Sequence, residues 1–239
     1  MDLSGIEMRE LHTPEEMAEV VQLQYRTWGP ADATPQNQLV ISVKAGGHVI
    51  GAFDGKKLVS FVYGFPGIVP GEAPWIASHM LATLPDYAGR GIGRALKWRQ
   101  RRWALERGFD RITWTFDPLE ARNAHLNLNI LGAEAKEYIV NCYGEMDDQL
   151  NRGLPSDRLM ADWDLRSARV ETLAEGEAQT LEGPALEVAV PPDFQAMKRQ
   201  DLGEALSTRL RVREELASRL SAGMRVYAFD RAKSALLLR

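Results

Sequence analysis

The sequence predicts a mixed α/β fold, a mixed sheet with helices on both faces, and three observations carry that prediction. Strand-type and helix-type segments alternate along the chain. A hairpin signal, Asp54-Gly55 between two apolar runs, adds an antiparallel pair to the alternation. The chain has 239 residues, 45% apolar and 26% charged, which is a globular mix with material for a sizeable core.

The elements follow in order. IEMREL (6–11) alternates weakly and reads as the first strand. TPEE starts a helix, with Thr13 as N-cap, Pro14 at the first helical position and Glu16 closing a capping box; Met17, Val20, Val21 and Tyr25 follow at helical spacing. WGPADA breaks that helix, Thr34 and Pro35 open another, and Gly46 and Gly47 end it. HVIGAF and KKLVSFVYGF flank the hairpin turn. WIASHMLATL (75–84) is a strand that halts at Pro85. After a glycine-rich turn, residues 92–108 form a helix closed by Gly108, and RITWTF (111–116) is a strand. Asp117, Pro118 and Glu120 predict another capped helix that runs to about Leu131 and stops at Gly132. AKEYIVNCYG (135–144) reads as a strand, 146–157 as a polar loop, and 159–165 as a strand with Leu159, Ala161, Trp163 and Leu165 on one face. The pattern dissolves from Ser167 to Gly183. Beyond it come a strand (186–190), one long helix (about 195–221) with Leu202, Leu206, Leu210, Leu216 and Leu220, and a final hairpin. The expected organisation is a core over 1–166, a linker over 167–183 and an α/β extension over 184–239.

Bulk properties exclude several classes of function. A net charge of −4 argues against a non-specific grip on nucleic acid, and the basic residues Lys97, Arg99, Arg101 and Arg102 read as a solvated helix face. The single cysteine, Cys142, allows no internal disulfide and no cysteine-rich metal site, and reads as a small buried hydrophobe; no metal is expected. The first residues carry acids and no apolar block, and no run is long enough to span a membrane, so the expected compartment is the cytoplasm.

The stretch YAGRGIGRAL (87–96) sits between a strand and a helix. The first amides of a helix have no intrahelical acceptors, and the helix dipole adds partial positive charge. Gly89, Gly91 and Gly93 let such amides converge on an anion without interference from Cβ, and Arg90 and Arg94 add charge. The string is not a Walker loop, and its G-x-G-x-G spacing fits a dinucleotide fingerprint poorly. A plain connecting turn is the competing reading.

At P-x-Y-x-G-R-G-I-G-R-A-L, followed by helix, strand, helix and L-G-A, the sequence resembles the GNAT superfamily (general N-acetyltransferases) over about residues 6–165. The likeness implies a mostly antiparallel sheet and an acyl-CoA donor, acetyl-CoA or succinyl-CoA. The family's turn reads Q/R-x-x-G-x-G/A; here Ala88 stands at its first position, which removes a side-chain contact and leaves the main-chain amides in place. By the same likeness Gly89, Arg90, Gly91, Ile92, Gly93 and Arg94 would hold the pyrophosphate. The strand 78–84 would splay from 111–116, and pantetheine would pair with its exposed backbone at Leu81 and Thr83. Asn123 and Asn127, beside the stripe Ala121, Ala124, Leu128 and Leu131, would contact the cofactor, Asn123 foremost. DPLEARNA, YG and SDRL resemble a larger bacterial subgroup with a C-terminal extension, associated with succinyl transfer to amino acids, which implies a small amino-acid-like acceptor.

Acyl transfer needs a base for the amine, donors for the oxyanion and an acid for the thiolate. A backbone amide near Leu81 is the expected oxyanion donor. Many members of the family use a helix tyrosine as the acid; this chain has Leu128 near that place, so Tyr143 or Tyr138 is the substitute. The base candidates are His79, read as lying on the same strand face as Leu81, and Asp117, which the capping reading also explains. In the loop entering the strand at 159, Arg158 could pair with a substrate carboxylate, with Asp157 beside it; an ion pair between Arg158 and Asp157 or a neighbour is the alternative. The tail extends the sheet, closes the acceptor pocket or forms a homodimer. The expected protein is thus an acyl-CoA-dependent N-acyltransferase acting on a small-molecule amine, with a non-catalytic acyl-CoA sensor as the alternative.

Overall fold

Thr13 takes the N-cap of α1 (Pro14–Trp28): its hydroxyl accepts from the Glu16 amide at 3.2 Å, and the Glu16 carboxylate accepts from the Thr13 amide at 3.0 Å. The loss of such a cap costs about 1 kcal/mol. The structure, a computed structural model, describes residues 3–30, 33–146, 151–177 and 185–239. Parts of the expected loop (147–150), of the expected linker (178–183) and the first residue of the expected extension (184) lie outside the described residues. The chain divides into two compact units, Met1–Thr113 and Trp114–Arg239, so the division falls inside a strand and not in the stretch 167–183.

In the first unit, β1 (Ile6–Glu10), β2 (His48–Asp54), β3 (Lys57–Gly67), β4 (Trp75–Thr83) and the start of β5 (Arg111–Phe116) lie side by side in that order. Every pairing is antiparallel except the parallel step from β4 to β5. Asp54 and Lys57 close the hairpin, with Gly55 at φ 57°, a left-handed backbone that glycine adopts without strain. Ser42 of α2 (Gln36–Lys44) bonds Tyr63 of β3 at 2.6 Å, and Trp28 of α1 meets Phe61 edge-on. Both helices therefore cover one face. Gly64 turns to the other, where α3 (Ile92–Glu106) packs: a Cβ added to Gly64 would lie 2.8 Å from His48 and 3.2 Å from Gln100 Nε2. Helices thus flank both faces of this sheet.

Two sequence expectations fail here. Thr34 does not cap α2; its amide donates to Gln24 Oε1 at 2.7 Å, and Gln24 Nε2 donates back to the Thr34 carbonyl at 3.3 Å. The Thr34 hydroxyl, the group that would cap, donates to Met80 Sδ at 3.4 Å instead, and Pro35 stands at the N-cap. Lys97 is not on a solvated face. It is 3% exposed and points at the sheet.

In the second unit the strands run β7 (Arg158–Asp164), β6 (Glu134–Ile139), β9 (Val226–Asp230), β10 (Ala235–Leu238) and β8 (Leu186–Ala189) across the sheet, all antiparallel. Leu159, Ala161, Trp163 and Leu165 are fully buried, as their alternation predicts. The DPLE segment does not start a helix. Asp117 Oδ1 accepts from the Leu119 amide at 2.8 Å, a tight turn, and α4 (Ala121–Ala124) begins later and widens into a π-helical stretch, His125–Ile130. The Leu128 carbonyl accepts from Arg169 Nη2 at 2.8 Å, and that of Leu131, just past the stretch, from Trp163 Nε1 at 2.7 Å. Arg169 comes from α5 (Ala168–Ala174), a helix within the expected linker that buries Val170 and Leu173.

The strand expected over 135–144 stops at Ile139. Its tail is a turn held by Ser156, whose carbonyl takes the Cys142 amide at 3.0 Å and whose hydroxyl takes the Tyr143 amide at 2.9 Å; Cys142 is half-buried. The long helix is two, α6 (Phe194–Gln200) and α7 (Leu202–Ser221), because the Asp201 side chain caps α7 on the Glu204 amide at 3.0 Å. Ala205, Arg209, Val212, Leu216 and Leu220 form the buried stripe of α7, while Leu202, Leu206 and Leu210 face outward. Among the described residues no helix is long and apolar enough to cross a membrane.

Candidate active site

The glycine turn is built as an anion cradle. Gly89 (φ 79°) and Gly91 (φ 86°) both take left-handed backbone, which a residue with Cβ adopts at a cost of about 1–2 kcal/mol. Gly91 is the N-cap of α3 and supplies no side-chain acceptor. The first helical bond, Ala95 N to Gly91 O at 3.0 Å, leaves the amides of Ile92, Gly93 and Arg94 pointing out of the helix end. A Cβ added at Gly89 would meet nothing within 4 Å, so its left-handed backbone, not crowding, is what asks for glycine there. Arg90 stacks over the Tyr87 ring at 4.7 Å, which keeps a cation at the rim.

Beside the turn, β4 and β5 pair at Ile76–Ile112 and Ala77–Thr113; among the described residues of this unit, Ser78 to Thr83 pair on their other edge alone, with β3. The edge carrying Leu81 and Thr83 is thus left to a ligand backbone. A Cβ on Gly93 would sit 3.6 Å from Leu81 and 3.8 Å from Thr83 Oγ1, so both side chains face the start of α3. These residues fit a diphosphate with an extended, amide-bearing arm.

His79 is not on that face. The β3–β4 register shifts between Tyr63–Met80 and Gly64–Ser78, a bulge that inserts His79. The bulge turns its ring to the α2 side, between Tyr63 (centroids 5.8 Å apart) and Phe65 (6.0 Å). Partial burial lowers its pKa from the ordinary 6.5, which favours the neutral, proton-accepting form.

The other expected residues belong to the second unit. Asp117 is gripped by a two-pronged ion pair with Arg209 (2.8 and 2.7 Å) and lies 3.6 Å from Arg158 Nη1. Burial disfavours the Arg209 charge, and Asp117 outweighs it and raises the pKa. Asp157 is fully buried, and its carboxylate accepts from Tyr138 (2.7 Å), the Asn141 amide (2.9 Å) and Arg213 (2.8 and 2.9 Å). Arg158 donates to its neighbour's carbonyl at 2.8 Å and to Asn151 at 2.7 Å, and its guanidinium lies 5.5 Å from the Tyr143 ring centre. The Tyr143 hydroxyl bonds Thr115 at 2.6 Å and stays half-exposed. Burial, with Asp157 as acceptor, raises the Tyr138 pKa and keeps that phenol protonated. Asn123 is exposed and Asn127 is buried.

Sequence reasoning missed Arg209 and Arg213, which reach Asp117 and Asp157 across 92 and 56 residues of chain. A signal was present: Arg209 occupies a position in the stripe Ala205, Val212, Leu216, Leu220, where an unpaired charge could not be buried.

A glycine-opened helix start with no side-chain cap, beside a strand edge that β5 does not cover, makes a site suited to an anion with an extended arm. The sequence matches the acetyltransferase (GNAT) family over residues 6–128, just over half of the chain, and the protein belongs to that family. Among solved structures, it is similar to the ribosomal-protein-S18-alanine N-acetyltransferase from Escherichia coli (16% identity, TM-score 0.54, covering 68% of this chain and 96% of that one). It is also similar to an acetyltransferase of the GNAT family from Streptococcus pneumoniae (16%, 0.52, 66% and 97%) and to the NatC complex bound to Gag peptide and CoA (15%, 0.53, 66% and 98%). At these identities the likeness is one of fold. Comparison with curated protein sequences returned no match.

Proposed function

We propose that the protein transfers an acetyl group, with succinyl as the competing acyl group, from its CoA thioester to the amine of a small carboxylate-bearing molecule, an amino acid or a relative. One observation carries this: three amides open at the start of α3, next to two left-handed glycines and the free edge of β4. The turn at Gly89–Arg94 holds the diphosphate, and Leu81 and Thr83 pair with the pantetheine arm. Acyl-CoA supplies the activated acyl carbon. His79 takes the proton of the attacking amine, a main-chain amide near Leu81 steadies the carbonyl oxygen, and Tyr143 returns a proton to the leaving sulfur. Asn123 and Asn127 are further proposed contacts of the cofactor. In the second unit Arg158 lies 3.6 Å from an Asp117 carboxylate that Arg209 already holds in a closer ion pair, so its guanidinium is the group proposed to meet an acceptor carboxylate. Arg158 is its contact, and Asp157 supports the loop that bears it.

The test is release of CoA thiol from acetyl-CoA and succinyl-CoA over a panel of amines, with calorimetric binding of CoA. Gly91→Glu places a carboxylate before the open amides and should abolish CoA binding; unchanged affinity would remove the assignment of the turn. Arg158→Ala should raise KM for a carboxylated acceptor and leave CoA affinity alone. A second reading, a non-catalytic acyl-CoA sensor, draws support from the engaged Asp117 and Tyr138. Tight CoA binding without turnover on any amine would favour it.

A further inference from the structure

Behind the β4 bulge, on the face opposite His79, lies a buried polar chain that the proposed chemistry does not use. Lys97 Nζ donates to Ser78 Oγ at 3.0 Å and to Gln100 Oε1 at 2.7 Å. Ser78 Oγ donates to the same Gln100 oxygen at 3.1 Å, and Gln100 Nε2 lies 2.8 Å from His48 Nε2. With the Gln100 oxygen occupied by two donors, its amide nitrogen must donate to His48, which fixes the imidazole proton on Nδ1. All four side chains are buried, and they tie three elements together: β2 through His48, β4 through Ser78, and α3 through Lys97 and Gln100. Gly64 makes the approach feasible, since any Cβ there would collide with the His48 ring.

Ser78 is the last β4 residue before the bulge, and Met80 is the first after it. We propose that Lys97 is a positioning residue for acyl transfer: its amine, acting on Ser78 directly and through Gln100, holds the bulge that aims His79 and the following main-chain amides. A methionine of similar volume would fill the space without desolvating a basic group. Burial drives the Lys97 pKa well below the ordinary 10.5.

The inference rests on the proposed role of His79 for its kinetic readout and on geometry for the rest. Lys97→Met and Ser78→Ala are compared with the unmodified chain in kcat, in KM for acetyl-CoA, in melting temperature, and in amide hydrogen exchange at residues 79–81. Expected are a kcat lowered about tenfold or more, a KM for acetyl-CoA within about twofold, exchange at the bulge faster by about tenfold, and a melting temperature unchanged or raised in Lys97→Met. Wild-type kcat and wild-type exchange in both variants would overturn the proposal. If the unmodified protein turns over no amine, the transferase reading fails by itself and exchange at the bulge still decides the positioning role. If Lys97→Met does not fold, Ser78→Ala, which deletes one oxygen, carries the test.

Discussion

Replacing His48 with glutamine should flatten the acid side of the stability profile. His48 is 1% exposed, its ring lies 4.1 Å from that of Trp103, and its Nε2 accepts from Gln100. Burial, with Lys97 and Arg107 nearby, lowers its pKa from 6.5 to about 3. The folded pKa is depressed, so in acid the unfolded chain takes up a proton that the folded chain refuses. The stability held by the neutral imidazole is complete above 6.5 and is lost as pH falls towards about 3. Each pH unit in that window costs about 1.4 kcal/mol, so moving from about pH 7.5 to about pH 4.5 removes roughly 3 kcal/mol through this residue alone. The His48→Gln variant lacks this term. Its loss of the Trp103 contact lowers stability at every pH equally, and His48 is neutral in the fold throughout this window, so its removal leaves the charge around Lys97 unchanged. Urea unfolding at both pH values, with coincident circular dichroism and fluorescence transitions, gives the two differences. The unmodified protein should lose roughly 3 kcal/mol more than the variant on acidification. Equal losses would refute the claim that His48 is buried neutral, and with it the orientation assigned to Gln100.

His79→Gln should lower kcat by about 10²–10⁴-fold and erase the acid limb of the kcat/KM profile; the limb of the unmodified enzyme should fall below the ordinary histidine range, because burial lowers this pKa. A profile with the same limb in both proteins would pass the base role to another group. Arg209→Met should destabilise the fold by about 3–5 kcal/mol, since it leaves the Asp117 carboxylate beside Arg158 at 3.6 Å without its bidentate partner. In thermal unfolding, the double variant Arg209→Met/Asp117→Asn should lose less than the sum of the two singles, and simple additivity would show that the pair is not coupled.

What was legible in the sequence was local. The capping box at Thr13, the Asp54-Gly55 hairpin and the alternation at 159–165 each depend on residues within a few positions of one another, and each formed as read. The glycine turn was legible for the same reason: a left-handed N-cap is a one-residue property. Where the reading failed, a distant partner had outbid a local one. Asp117 carries the composition of an N-cap, yet it serves a guanidinium 92 residues away. The Thr34 hydroxyl turns to Met80, 46 residues on, and leaves α2 without a side-chain cap. Lys97 looked like one of a run of surface bases, because the partners that make its position intelligible, the buried hydroxyl of Ser78 on β4 and the amide of Gln100, cannot be placed from the local sequence.

The bulge on β4 shows why a site can be read to the right strand and the wrong face. Strand periodicity put His79 and Leu81 together, and an inserted residue separates them: Leu81 faces the start of α3, while His79 faces Tyr63 and Phe65. Nothing in SHML announces an insertion. The cause lies across the ladder, where Gly64 has no side chain and lets the His48 ring and Gln100 approach, and where Ser78 is bonded to Gln100 of α3. The split of faces suits two tasks that should not compete. The proposed cofactor contacts lie on the α3 side, and the proposed base, flanked by aromatic rings, lies on the α2 side, where its neutral form is favoured and a protonated amine would find two π faces. A restored regular register, with His79 back on the Leu81 face, would place the imidazole among the cofactor contacts and leave the aromatic pair without a base.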